Sequence, residues 1–210
     1  MLIRLVHDKR QTAPGLPGPT QGPAHGFTLI ELLVTLAVFA ILMSLAVPSF
    51  TRMMASDRMS TQTNGFMKTL ETTQSAARVR GLPVTLRSMD NTTQIKFHMG
   101  WQAFVDSDSD GVPESGSTVI SNNAALPGTT TVTRVTRAGT SPAYTYPAAK
   151  STLSGRQFIT FVPPLGRTTA GESAFFRICD SANPTLRGRI VQVSAGGRIS
   201  LDSTNEDCTL

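Results

Sequence analysis

The sequence predicts an α+β protein: one long N-terminal helix, apolar in its first half and amphipathic in its second, packed on a small antiparallel, β-rich C-terminal head. Three observations predict it. Residues 27–47 form an apolar run whose only charged side chain is Glu31. Residues 49–80 contain no proline and repeat apolar side chains at helical spacing. Beyond Pro83 the chain breaks into short runs rich in β-branched and aromatic residues, separated by turn formers.

The segment before the apolar run, residues 1–26, carries Arg4, Lys9 and Arg10 and then a stretch rich in proline and glycine. An ordinary secretory signal places its small-residue cleavage site after the apolar stretch. Here the glycine, Gly26, stands before it. As a helix the 21 residues from Phe27 to Val47 would rise about 31 Å, enough to cross a bilayer core. Basic residues ahead of that span favour keeping the leader in the cytoplasm, which sends everything after Pro48 outward. A carboxylate at the centre of such a span costs about 2.5–3.5 kcal/mol on insertion scales, and somewhat less near the interface. Glu31 therefore needs a partner, and the run contains no cation. An amino terminus newly made by cutting after Gly26, on a neighbouring subunit, would supply one.

Gly26-Phe27-Thr28-Leu29-Ile30-Glu31 followed by the apolar run, with Pro48 downstream, resembles the class III signal of type IV pilins and type II secretion pseudopilins. The resemblance implies cleavage between Gly26 and Phe27 by a prepilin peptidase and N-methylation of Phe27. It further implies a filament whose core is built from these helices, with Glu31 pairing to the Phe27 amine of the adjoining subunit. Pro48 matches the position where such helices kink or locally melt, because proline lacks the N–H a helix needs.

From Ser49 the helix is expected to continue to Arg80, with Phe50, Met53, Met54, Phe66, Met67, Leu70 and Ala77 as a core-facing stripe, and Gly81 and Pro83 to end it. Strands are then expected at 84–88, 93–99, 101–106, 117–121, 129–137, 156–162, 173–178, 188–194 and 197–201. The organisation is thus a leader (1–26), a membrane and filament-core helix (27–47), its amphipathic continuation (48–81) and a periplasmic head (82–210). The order of five segments, beginning at residues 80, 101, 159, 175 and 188, resembles the heads of the GspH/FimT family of minor pseudopilins. That resemblance implies a pilin-like fold and a non-catalytic subunit of a type II secretion pseudopilus or type IV pilus, which contacts other pilin subunits during filament assembly or priming.

Composition agrees with a globular head on an extension: 210 residues, 40% hydrophobic, 16% charged, net charge +5 and a pI near 9.8. A basic balance permits nucleic acid or phospholipid as a partner without requiring either. Between Arg134 and Arg198 nine cations, including Lys150 and Arg156, face only Glu172 and Asp180, a net +7. Between Arg87 and Thr133 the net charge is −3. Eight of the nine cations are arginine, the residue that grips phosphate bidentately. FimT-type members of the family are associated with DNA uptake through a basic, GRxR-like C-terminal motif. Here Gly188-Arg189 and Gly197-Arg198 are not followed by the second arginine. As the alternative reading, Arg187, Arg189 and Arg198 would contact double-stranded DNA; otherwise they are solvated strand residues.

Cys179 and Cys208 are the only cysteines, and in an exported chain they are expected to form a disulfide. Asp106-Ser-Asp108-Ser-Asp110-Gly111 begins like a calcium loop, but the twelfth position is Ser117 where a bidentate glutamate is required. A solvated acidic turn, with no metal, is expected there. No enzyme is expected either. Once the leader is removed His98 is the only histidine left, and no GxSxG, HExxH or phosphate-cradling motif occurs.

Overall fold

The computed structural model describes residues 26–90, 96–137, 144–145, 157–169, 171, 173–206 and 208. The leader up to His25, Lys150, Arg156, Glu172 and residues 93–95 of one expected strand lie outside the described residues. The chain divides into two compact units, Met1–Leu45 and Ala46–Leu210.

Helix α1 runs from Leu29 to Arg80 and is helical at Pro48 as on both sides of it. Its start is fixed locally: Thr28 Oγ1 accepts the Glu31 N–H at 3.3 Å, and the Thr28 carbonyl accepts the Leu32 N–H. Thr28 is thus the N-cap and Glu31 the acid of the first turn, where the helix dipole favours negative charge. Gly81, at φ 66°, ends the helix by donating its N–H back to the Ala77 carbonyl.

In the first unit every described residue, from Gly26 to Leu45, is exposed. In the second, α1 buries Ala55, Met59, Thr63, Phe66, Leu70, Thr73, Gln74 and Ala77, spaced three and four apart along one face. The expected stripe is corrected at its start: Phe50, Met53 and Met54 are more than half exposed. They belong by burial with the apolar half of the helix, since the head contributes no cover to them.

The head consists of β1 (Val84–Ser88), a short 3-10 helix (Phe97–Met99), β2 (Trp101–Val105), β3 (Val119–Asn123), β4 (Thr130–Arg137), β5 (Tyr144–Thr145), β6 (Phe158–Val162), β7 (Arg167–Thr168), β8 (Ala174–Asp180), β9 (Gly188–Val193) and β10 (Ile199–Glu206). They form two five-stranded sheets, in the orders β3-β2-β1-β6-β7 and β10-β9-β8-β4-β5. Every pairing is antiparallel. Both sheets and α1 meet in one core, where the fully buried Phe66 ring stands edge-on to Phe97, Trp101 and Phe176, with centroids 5.1–5.8 Å away. Gln74 holds the sheets together from the helix: its Nε2 donates to the Gly166 carbonyl beside β7 and to the Gly197 carbonyl in the β9–β10 turn.

One expected strand is replaced. Residues 97–99 turn as a 3-10 helix because Phe97 drops fully into the core and Gly100, at φ 113°, reverses the chain into β2. His98 is therefore not a strand residue. Its Nδ1 lies 3.2 Å from the Val132 nitrogen and 3.3 Å from the Val132 carbonyl oxygen, accepting from the first as a neutral ring and donating to the second when protonated, and burial pushes its pKa down. The nearby Lys96 adds to that shift, while the Val132 carbonyl, which accepts from a protonated Nδ1, and Asp90 oppose it.

Candidate functional site

Glu31 and the apolar helix around it form the first candidate. Phe27 is 84% exposed and Leu45 73%, and the leucine, isoleucine, valine and phenylalanine side chains between them are all more than half exposed among the described residues. An apolar surface of this extent on a folded chain marks contact with lipid or with another protein. Among the described residues α1 contains the one helix long and apolar enough to cross a membrane. The carboxylate of Glu31 lies in this exposed face, four residues after Phe27.

The three arginines expected to contact DNA, Arg187, Arg189 and Arg198, do not converge. Arg187 and Arg189 sit at the start of β9, whereas Arg198 is in the turn after it. The six residues of β9, Arg189 among them, separate Arg187 from that turn, roughly 20 Å at a strand's rise per residue. Arg187 and Arg198 are exposed, but Arg189 is half-buried and its Nη2 donates to Ser60 Oγ of α1 at 2.7 Å. The glycines beside them serve the interior. A Cβ on Gly188 would fall 2.9 Å from each sulfur of the disulfide that joins Cys179 to Cys208. Gly197, at φ 87°, packs so closely that a Cβ would meet the Gly166 carbonyl at 2.1 Å.

The acidic β2–β3 loop differs from the expected solvated turn. Asp108 and Asp110 are exposed, but Asp106 is only 3% exposed. Its Oδ2 accepts the Thr85 hydroxyl at 2.6 Å and the Gly111 N–H at 3.0 Å, and the Thr85 hydroxyl in turn meets that of Thr160. Its Oδ1 is buried and has no hydrogen-bond partner. Burial pushes the Asp106 pKa up; the Thr85 and Gly111 bonds oppose this, and the neighbouring Asp108 and Asp110 carboxyls add to it. One oxygen each from Asp106, Asp108 and Asp110 lie within 4.8 Å of one another.

Two family models match the chain: the prokaryotic N-terminal methylation motif over residues 23–47 and the type II transport protein GspH over residues 62–197. The chain belongs to the GspH family. GspH-type chains are minor pilin or pseudopilin subunits, structural parts of filaments, and the methylation motif brings with it processing by a prepilin peptidase and assembly with other pilin-type subunits. With its apolar helix, this GspH-family chain is a membrane-anchored pilus component.

The fold is similar to that of the type IV minor pilin FimU of Pseudomonas aeruginosa (TM-score 0.51, 17% identity), covering 75% of this chain and 97% of FimU. The minor pseudopilin EpsH of the type 2 secretion system of Vibrio cholerae is a more distant structural match, at TM-score 0.43 and 14% identity over 69% of this chain and 96% of EpsH. Among curated proteins none matches.

Sequence reasoning missed the residues that set the GspH-family head on its helix. Gln74, Arg78 and Gln62 each donate to a loop carbonyl, at Gly166 and Gly197, Leu165 and Pro127 respectively. A glutamine on the buried face of an amphipathic helix was the available signal, since a buried amide must find partners.

Proposed function

We propose that the chain is a minor subunit that enters a type II secretion pseudopilus or type IV pilus through residues 27–54 of its helix, taking part in filament assembly or priming. The observation that carries this reading is the unbroken exposure of the helix from Leu29 to Met54, apolar throughout most of its length and holding Glu31 near its start. Cleavage between Gly26 and Phe27 frees an amino group, which is then methylated. That amine pairs with Glu31 of the adjoining subunit, offsetting the cost of a carboxylate among apolar helices. The head, held in the periplasm, supplies the contacts that distinguish this subunit from its neighbours.

DNA uptake is the weaker reading. Arg187, Arg189 and Arg198 are split between the two ends of β9, Arg189 is engaged with Ser60, and Gly188 and Gly197 are accounted for by internal packing.

Filaments sheared from cells and probed for this subunit test the proposal. Glu31→Ala is expected to remain in the membrane fraction and to disappear from the filaments. Its incorporation at the wild-type level would overturn the role given to Glu31. The intact mass of the mature subunit should correspond to a chain starting at Phe27 with one added methyl group, and an uncleaved mass would remove the processing step.

A further inference from the structure

We propose that the β2–β3 loop binds a divalent cation of the calcium type through the carboxylates of Asp106, Asp108 and Asp110. The decisive atom is Asp106 Oδ1. Oδ2 of the same carboxyl accepts two hydrogen bonds, whereas Oδ1 is buried and accepts none. An unpartnered carboxylate oxygen removed from water is costly, and such atoms in folded proteins are normally met by a donor or an ion. No donor meets Oδ1, while the Asp108 carboxyl lies in contact with Asp106 and Asp110 stands close by. Three carboxylates that each bring an oxygen within 4.8 Å of the other two repel one another unless a cation lies between them.

The spacing fits such an ion. Oxygens from the three side chains lie within 4.8 Å of one another, which is the greatest separation of two ligands each about 2.4 Å from a shared calcium. The donors are all carboxylate oxygen, the ligand type of a hard cation, and they occupy the first, third and fifth positions of an Asp-x-Asp-x-Asp-Gly segment. Magnesium fits less well, since it demands near-octahedral ligands at about 2.0–2.1 Å and keeps most of its water.

The loop is held in this arrangement by its neighbours. Gly111, at φ 79°, leaves the space where a Cβ would stand to the ring of Phe158 on β6. Arg87 of β1 reaches the loop, but its Nη1 donates to the Gly111 carbonyl at 3.0 Å. Thr85 of β1 holds Asp106. The cation would therefore fasten the connection to the edge strand β3 onto the inner strands β1 and β6. Because the twelfth position is Ser117, the affinity should be that of extracytoplasmic modules, on the order of 10⁻⁴–10⁻³ M, not that of an intracellular sensor.

The test is isothermal titration of the detergent-solubilised, chelator-stripped full chain with calcium and with magnesium, beside Asp108→Asn/Asp110→Asn. The expected result is one calcium per chain, magnesium at least tenfold weaker, calcium binding reduced at least tenfold in the variant, and a melting temperature higher in millimolar calcium than in EDTA. Both substituted side chains are exposed, so the near-UV circular dichroism of the variant should match that of the wild type. If the double variant misfolds, the comparison passes to Asp110→Asn alone, with the same tenfold weakening expected. Absence of calcium binding in the wild type, binding unchanged by the substitutions, or magnesium bound as tightly as calcium would each overturn the proposal.

Discussion

The two halves of α1 are one helix with opposite destinations. Leu29–Met54 keeps every side chain exposed, although most of them are apolar. Ala55–Arg80 is more polar, yet it buries a full face, and two threonines and a glutamine lie on that face beside Phe66 and Leu70. Secondary structure therefore does not separate them; what differs is whether the chain supplies its own cover. The second half is patterned at three- and four-residue spacing for a single core and carries amides that grip loop carbonyls. The first half is apolar on all sides, as a helix surrounded by lipid or by other helices must be. The lesson is that the more hydrophobic half contributes less to the fold of the head, and it is the half to which the proposed function gives assembly.

Substitutions along the helix sharpen this contrast. The largest effect is expected at Phe66, where Phe66→Ala empties the space among Phe97, Trp101 and Phe176 and should cost about 3–5 kcal/mol in denaturant unfolding. Phe39→Ala, the same change in the exposed half, should stay within about 0.5 kcal/mol in the same measurement. Equal losses at the two positions would break the comparison. Next comes the covalent closure of the head: Cys208→Ser opens a loop spanning a sequence separation of 29 residues and should lower stability by about 3–4 kcal/mol in the chain-entropy model. Gln74→Ala leaves two loop carbonyls without their donor and should cost about 1–3 kcal/mol.

The smallest effect concerns pH. The pKa of His98 is held below its ordinary value by burial, so the native state favours the neutral ring. The stability this contributes is fully present above the unfolded pKa of about 6.5 and is lost as pH falls from there toward the folded value. Melting temperatures of wild type and His98→Gln, compared from pH 7.5 down to 5, should converge as the pH drops. Parallel curves would remove His98 from the account.

Much of this organisation was legible in the sequence, for identifiable reasons. The helix, its termination at Gly81 and most strands of the head follow from periodicity and turn chemistry, which act locally. Residues 97–99 escaped because an alternating run looks like a strand whether or not tertiary packing pulls Phe97 inward. Phe50, Met53 and Met54 have core-like spacing, and nothing local tells that the head stops short of them. The two-residue strands β5 and β7 are too short to leave a pattern. Around the candidate site, the spacing of Gly26, Phe27 and Glu31 is itself the signal from which their proposed roles are read, and the methylation motif matches the segment that holds them. The burial of Asp106 was not, since an acidic turn and a buried carboxylate held by Thr85 have the same sequence. Gly188 and Gly197, which precede Arg189 and Arg198, make room for a disulfide and for the Gly166 carbonyl, contacts with partners far away in the chain that no local pattern reveals.

The central claim, that one half of α1 is covered by other molecules and the other by its own head, is tested most directly by placing a photoreactive azido-phenylalanine at Phe39, Phe50 or Phe66 in cells that carry the filament machinery. The account predicts adducts to other subunits or lipid from Phe39 and Phe50, and none to another molecule from Phe66. Intermolecular adducts from Phe66, or their absence from both Phe39 and Phe50, would contradict it.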